Sequence, residues 1–251
     1  MLTLENIHLT LGKGTKLEYS VLKKLNVTVS PGEFVIVIGG NGAGKSTLFN
    51  VISGFLKPDS GKIILNHQDI THLSQKARAA SISTVMQDPR AGTIENMTIF
   101  ENMAFAYKRG QRRALCPFSS KGRKEMFQEK LILLNMGLEN RLEDLVANLS
   151  GGQRQALSII MAILAESKIV LLDEITAALD PKIAETVMQI SNKLIRGENR
   201  TSFLITHNMS HALDYGDRIV LLKEGRFIKT FTAAEKKGLT PALLAAEFTE
   251  V

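Results

Sequence analysis

The sequence predicts an α/β fold: a core built on a buried parallel sheet, a helical subdomain inserted into it, and antiparallel strands at the N-terminal end. Three observations carry this. FVIVIG (34–39) and IVLLDE (169–174) are near-continuous apolar runs, the texture of strands buried on both faces. Between residues 90 and 166 that texture gives way to helical patterning with polar loops. The opening MLTLENIHLTL alternates like a strand. Strand–helix alternation that stops and then resumes points to one core with an insertion. The expected division is 1–89 and 167–232 for the core, 90–166 for the helical subdomain, and 233–251 for a peripheral tail.

In chain order, 2–11 and 21–29 read as strands joined by the turn GKGTK, and Ser30-Pro31-Gly32 is a second turn. The buried strand 34–39 feeds GGNGAGKST and a helix through Ile52, which Gly54 and then Pro58 bring to an end. KIILN (62–66) and SISTVMQD (81–88) return as strands. The insertion offers three helices, ENMAFAYKR, RKEMFQEKLILLNMG and GGQRQALSIIMAILAE. After strand 169–174, Asp180 is placed to cap a helix with Pro181 at its first position. TSFLIT (201–206) is a strand and NMSHALDYG a short helix. DRIVLLKEGRFIKTF forms two strands around a Glu-Gly turn, and the tail is helical.

Composition sets outer bounds. With 251 residues and 44% apolar content the chain is long enough for a substantial globular core. ALSIIMAILA (156–165) is too short to cross a bilayer, and the N-terminus carries no secretion signal. The single cysteine, Cys116, argues for a reducing compartment. The net charge of +6 is concentrated in KRGQRR (108–113) and KGRK (121–124). A solvated loop is the plain reading of these basic runs, with anionic lipid or a membrane partner as the alternative. Nucleic acid is not expected, because no aromatic residues interleave with the basic ones. His8, His67, His72 and His211 have no ligand partners at metal spacing and are read as structural, the last two as surface or cap residues. The methionines at 97, 103, 126 and 136 are read as packing residues.

Chemistry concentrates first at GGNGAGKST. Gly39, Gly44, Lys45 and Ser46 satisfy G-x-x-x-x-G-K-[ST] between a buried strand and a helix. Gly39, Gly40, Asn41, Gly42, Ala43 and Gly44 supply backbone N–H groups that can turn inward on phosphate oxygens, and the helix start adds its positive end. Lys45 reaches the β- and γ-phosphates, Ser46 offers a hydroxyl to Mg²⁺, and Thr47 contacts the α-phosphate. Asp173 emerges at the C-terminal end of its strand, where ligands of parallel sheets sit, and can hold Mg²⁺. Glu174, one residue on, is placed to activate the attacking water. The cofactors implied are ATP and Mg²⁺. A second loop, LSGGQ (149–153), opens another apolar helix with a hydroxyl and two glycines. By itself it is either a helix cap or a second anion site.

With LSGGQ, the phosphate loop and the acidic strand in this order, the chain resembles the nucleotide-binding subunit of ATP-binding cassette (ABC) transporters over roughly residues 3 to 230. That resemblance implies a P-loop NTPase core of the ABC type and an ATPase coupled to transport. It gives Gln87 a contact with Mg²⁺ and the attacking water, and a part in coupling the core to the helical subdomain. It also gives His207 a contact with the γ-phosphate. Ser150, Gly151 and Gly152, supported by Gln153, would meet the γ-phosphate of ATP held by a second copy of the chain in a head-to-tail dimer. Ala177 to Asp180 would cross that interface. EDLVAN (143–148) would sense separate transmembrane permease subunits, with a substrate-binding protein as a further possible partner and the cytoplasmic face of the membrane as the location.

Two positions depart from the family pattern. Leu11 stands where an aromatic residue usually stacks on adenine; Tyr19 is nearby at a spacing that looks wrong for the task. Ile175 follows Glu174 where proline is usual. AGTIENMTIFENMAFAYKRGQRR and THNMSHALDYGDRI resemble cassettes of bacterial importers for amino acids or related small solutes, and THNM with DEITAALDP is most similar to a group paired with aromatic amino-acid uptake. The alternatives are an exporter or lipid-handling system, or a soluble non-transport ABC ATPase.

Overall fold

The structure is a computed structural model, and it describes residues 1–111, 121–164 and 166–247. Cys116, Arg112 and Arg113 lie outside the described residues. The chain divides into two compact units, Met1–Arg78 with Asn199–Val251, and Ala79–Glu198.

The first unit begins with β1 (Leu2–Leu11) and β2 (Tyr19–Val29), an antiparallel pair, followed by β3 (Phe34–Ile38), α1 (Lys45–Ser53), β4 (Ser60–Leu65), β5 (Gln68–Asp69) and α2 (Gln75–Arg78). In the second unit β6 (Ile82–Val85) precedes three helices, α3 (Ile99–Tyr107), α4 (Lys121–Ile132) and α5 (Gly151–Leu164). It closes with β7 (Ile169–Asp173) and α6 (Pro181–Gly197). The first unit resumes with β8 (Thr201–Ile205), α7 (Met209–Asp214), β9 (Arg218–Lys223), β10 (Arg226–Phe231), α8 (Ala233–Lys236) and α9 (Pro241–Ala246).

In the first unit β3 runs parallel to both β8 and β9. All five residues of β3 and all five of β8 are buried, which accounts for their unbroken apolar sequence. A separate antiparallel sheet has the order β2-β1-β4-β5. α1 ends on Gly54 at φ 84°, the left-handed position glycine occupies without a Cβ penalty. Beneath it Arg78, only 2% exposed, donates Nη1 to the carbonyls of Val51 and Ile52 and Nη2 to that of Thr71, each at 2.8 Å. A cation on the last carbonyls of a helix is favourable, so the helix that follows the phosphate loop is anchored at its far end.

In the second unit β6 and β7 pair in parallel. α3 starts with a capping box between Thr98 and Glu101. The side chain of Asn102 accepts from the N–H of Ile94 and donates to the carbonyls of Ile94 and Thr98, fastening the preceding loop to this helix. Asp180 caps α6 by accepting from the N–H of Ile183 at 3.2 Å, with proline in the first turn. Between Arg90 and Glu166 the described residues contain only one isolated bridge, Thr98 to Leu145, and no strand.

Several residues depart from the sequence reading. The strand expected over 81–88 ends at Val85. His211, read as a surface or cap residue, is buried with its ring edge-on to Tyr215 at 5.9 Å; the cap of α7 is Asn208. Arg109, read as part of a solvated basic run, donates Nη2 to the carbonyls of Met161 and Ala162 near the end of α5. Neighbouring basic residues are also engaged: Arg123 lies over the Tyr107 ring at 6.0 Å, and Lys124 pairs with Glu143 at 2.8 Å. Of the four methionines only Met103 is fully buried within a helix.

Candidate functional site

The first unit holds the phosphate loop. β3 ends at Ile38, and the chain turns through Gly39 to Gly44 before α1 begins at Lys45. Each glycine answers a different demand. A Cβ on Gly39 would sit 2.3 Å from the carbonyl oxygen of Leu222, so only glycine lets the loop leave the sheet here. Gly44, at φ 102°, turns the chain into the helix, and a Cβ there would press on Val21 and Leu22 of β2. Cβ atoms on Gly40 and Gly42 would meet nothing within 4 Å, so at these two positions the backbone faces open space where a ligand can approach.

Lys45 is 6% exposed, and its Nζ donates to the carbonyls of Gly39 and Gly40 at 2.9 and 3.0 Å. The ammonium is thereby held back over the loop, at the place where an incoming phosphate oxygen would meet it together with the loop amides. Ser46 is exposed and Thr47 half-buried at the helix start. Asn41, Gly42, Lys223 and Glu224 border a cleft of about 270 Å³ on the loop's flank. His207 is exposed just beyond β8.

Leu11 closes β1, half-buried, and its register partner on β2 is Tyr19. Sequence spacing argues against Tyr19 as the aromatic partner of a base. The hairpin sets Leu11 and Tyr19 directly opposite one another, and residues so placed on an antiparallel pair share a face.

The second unit holds the remaining candidates. Asp173 is the last residue of β7, and Glu174 follows at φ 46°, a left-handed conformation uncommon for a non-glycine residue and found at functional turns. Ala177 donates its N–H to the Glu174 carbonyl at 2.9 Å, closing the turn. Ile175 is 2% exposed; where proline is usual, this chain fixes the turn by burying a branched apolar side chain. Gln87 is exposed in the loop two residues beyond β6.

The signature loop is both a cap and an exposed N-terminus. Ser150 Oγ accepts from the N–H of Gln153 at 3.3 Å, and Gln153 Oε1 accepts from the N–H of Ser150 at 3.2 Å, a reciprocal capping pair. The Ser150 hydroxyl keeps its own proton for a further acceptor. Gly151 is exposed, while Gly152 is buried against α6, where a Cβ would lie 2.3 Å from Ile183 Cγ2. Sequence reading passed over Gln155, which is fully buried and donates to the carbonyl of Met86. Nothing in the sequence distinguishes it from the other polar residues of GGQRQ.

The phosphate loop fits a magnesium nucleotide: it provides open backbone at Gly40 and Gly42, a restrained lysine and an exposed serine at the helix start. Among the described residues, no group of three or more His, Cys, Asp and Glu side chains gathers as a metal site. Magnesium held by a hydroxyl, a carboxylate, waters and phosphate oxygens needs no such group.

A loop of this construction after a buried strand, followed later by a capped LSGGQ helix, defines an ABC-type nucleotide-binding subunit. The ABC transporter family model matches residues 22–177, and the chain belongs to that family. It is 40% identical over 229 residues to a tyrosine transport ATP-binding protein of Clostridioides difficile, covering 91% of each chain. It is 32% identical over 232 residues to the choline transport ATP-binding protein OpuBA of Bacillus subtilis, covering 92% of this chain and 58% of that one. Among solved structures it is similar to MJ0796, a bacterial ABC cassette seen as a dimer in a post-hydrolysis state bound to ADP and Pi. That match has a TM-score of 0.80 and 30% identity, and covers 93% of this chain and 99% of the other. The fold is therefore an α/β P-loop ATPase core with N-terminal antiparallel strands and an inserted helical subdomain. The protein is an ATP-hydrolysing subunit of an ABC transporter.

Proposed function

We propose that this chain energises a bacterial importer of amino acids or related small solutes, working as a head-to-tail dimer beneath separate permease subunits on the cytoplasmic face of the membrane, in some systems with a substrate-binding protein. One observation carries the dimer. The chain has two helices whose N-termini are prepared for an anion, α1 behind Lys45 and α5 behind Ser150, and a single ATP has one γ-phosphate to engage them. Two copies related by a twofold axis resolve this, each nucleotide being gripped by the phosphate loop of one chain and the signature loop of the other. The import reading is supported by the relatives, which include transport ATP-binding proteins for tyrosine and choline. Among the described residues no helix is long and apolar enough to cross a membrane, in keeping with permease subunits on separate chains.

In this reading Gly39, Gly40, Asn41, Gly42, Ala43, Gly44, Lys45 and Thr47 hold the triphosphate, with Leu11 near the base. Ser46, Asp173 and Gln87 hold magnesium, which when bound neutralises charge on the β- and γ-phosphate oxygens. Water attacks the γ-phosphorus and the bond to the bridging oxygen breaks. ADP leaves, and Glu174 accepts the proton that the water gives up. His207 and the partner's signature loop, Ser150 to Gln153, steady the γ-phosphoryl group, and Asp180 lies in the stretch that crosses the interface. Loss of the bridging phosphate lets the halves part, and that motion drives the permease.

The test is Glu174→Gln saturated with Mg-ATP. A stable dimer by light scattering is expected. A monomer at high protein concentration, also with the permease supplied, would reject the sandwich. Recovery of the bound membrane chain from detergent extract addresses direction: an importer permease is expected, and an exporter's membrane domain would overturn the import assignment.

A further inference from the structure

The phosphate loop contains a side-chain amide that is set up to be lost. Asn41-Gly42 is the only Asn-Gly pair in the chain. An asparagine so placed is labile, because glycine has no Cβ to keep its own nitrogen away from the preceding side-chain amide. Both residues are exposed, in a turn that the Ala43 N–H closes on the Gly40 carbonyl at 3.2 Å. Gly42 sits at φ 77°, with nothing within 4 Å of where a Cβ would be. Among the described residues, neither the Gly42 N–H nor the Asn41 amide is engaged in a hydrogen bond. The pair also borders the cleft of about 270 Å³ on the loop's flank, which leaves it open to solvent.

Asn66 isolates what the glycine adds. It too is exposed in a turn, at φ 47°, but His67 follows it. The Cβ of that histidine crowds the nitrogen that would have to attack. Exposure and turn geometry are shared by the two asparagines; an unhindered following nitrogen belongs to Asn41.

We propose that Asn41 is a site of spontaneous deamidation and that bound nucleotide protects it. Solvent base takes the Gly42 N–H proton, and the nitrogen attacks Asn41 Cγ. The bond from Cγ to the side-chain nitrogen breaks, and ammonia leaves with a proton returned from solvent. Water then adds to one of the two carbonyls of the resulting imide, and the ring opens to aspartate or isoaspartate. Either product weakens the loop's hold on phosphate. Both place a carboxylate where phosphate oxygens are to be received, and like charges repel there. Isoaspartate also routes the main chain through an extra methylene, displacing the amides that precede Lys45. The inference rests on the reading of this loop as the triphosphate site. In that reading a phosphate oxygen holds the Gly42 N–H, and a nitrogen so held cannot attack. An occupied subunit keeps its asparagine, and an empty one ages.

In the experiment the parent is incubated in mildly alkaline buffer, with and without a non-hydrolysable Mg-ATP analogue, and each asparagine is followed by peptide mass spectrometry. Asn41 should convert ahead of every other asparagine, Asn66 included, and faster as the pH rises. The analogue, at about 100 times its Kd, should slow that conversion at least about 10-fold. Loss of analogue affinity should track conversion in the nucleotide-free sample. Asn41→Asp should melt as the parent does and bind the analogue at least about 10-fold more weakly. Asn41→Gln, whose longer side chain must close a larger ring, should keep its own starting affinity through the same incubation. An Asn41 that converts no faster than Asn66 overturns the proposal. So does conversion at an equal rate with the analogue shown bound by calorimetry, and so does parental affinity in Asn41→Asp. An analogue that does not bind the fresh parent would instead remove the triphosphate reading of the loop.

Discussion

Leu11 and Tyr19 stand directly opposite one another across β1 and β2. Tyr19 is 59% exposed. Two and three residues further along β2, Val21 and Leu22 border the glycine that opens α1, and two residues of strand span about 7 Å. An exposed ring therefore stands within nucleotide reach of the phosphate loop, on the face that Leu11 shares.

We expect Tyr19→Ala to weaken ATP binding by about 5- to 150-fold, the range for losing one aromatic surface under a base. Tyr19→Phe should bind as the parent does, since stacking uses the ring and not the hydroxyl. Leu11→Ala should matter less. Titration with a fluorescent ATP analogue separates the three, and parental affinity in Tyr19→Ala would return the base to Leu11.

Lys45 donates from Nζ to the carbonyls of Gly39 and Gly40. Lys45→Ala therefore removes both a phosphate partner and the restraint on the loop. Charge-assisted hydrogen bonds contribute about 1.5–3 kcal/mol, so a loss of at least about 10- to 150-fold in ATP affinity is expected by calorimetry. Unchanged affinity would remove this lysine from the site.

How far the sequence alone reaches is clear from such residues. Lys45, Asp180 with Pro181, and Gly54 are legible because their tasks are local: a loop-to-helix junction, an N-cap and a C-cap each depend on neighbours a few positions away. The pairing of Tyr19 with Leu11 is not legible, because it is set by the register between two strands. Arg109 misleads for a related reason. Its charge sits in a basic run, but its partners, the carbonyls of Met161 and Ala162, are some fifty positions on. Gln155 is hidden because its bond to Met86 spans 69 positions. Family resemblance supplies roles for Gln87 and His207 that no local pattern carries.

Arg78 ties the last carbonyls of α1 to that of Thr71 with a buried guanidinium. Arg78→Met would keep much of the volume and strand three carbonyls. A loss of about 3 kcal/mol is expected, seen as a fall in Tm of roughly 6–12 °C for a chain of this size. Because α1 begins at the phosphate loop, ATP should restore part of that Tm through binding linkage. A melting curve that matches the parent would mean the three carbonyls find other donors.

The two glycines of the signature loop separate binding from packing. Gly152 is pressed against Ile183, where a β-branched side chain of α6 leaves no room for a methyl group. Gly152→Ala must push α5 away from α6, and overpacking of this kind costs about 1–3 kcal/mol. Its loss of activity would therefore be ambiguous. Gly151 has no such constraint: a Cβ there would meet only Leu179 Cδ2, at an ordinary 3.7 Å. Alanine also favours the first turn of a helix over glycine. Gly151→Ala should melt at or above the parental temperature and bind ATP normally as a monomer. In the Glu174→Gln background it should nevertheless dimerise at least about 10-fold more weakly, a cost of about 1.4 kcal/mol, because a methyl group then stands where the partner's phosphate must approach the helix N-terminus. Sedimentation in Mg-ATP provides the measurement. A Gly151→Ala chain that dimerises like its parent would leave the signature loop as a helix cap and nothing more.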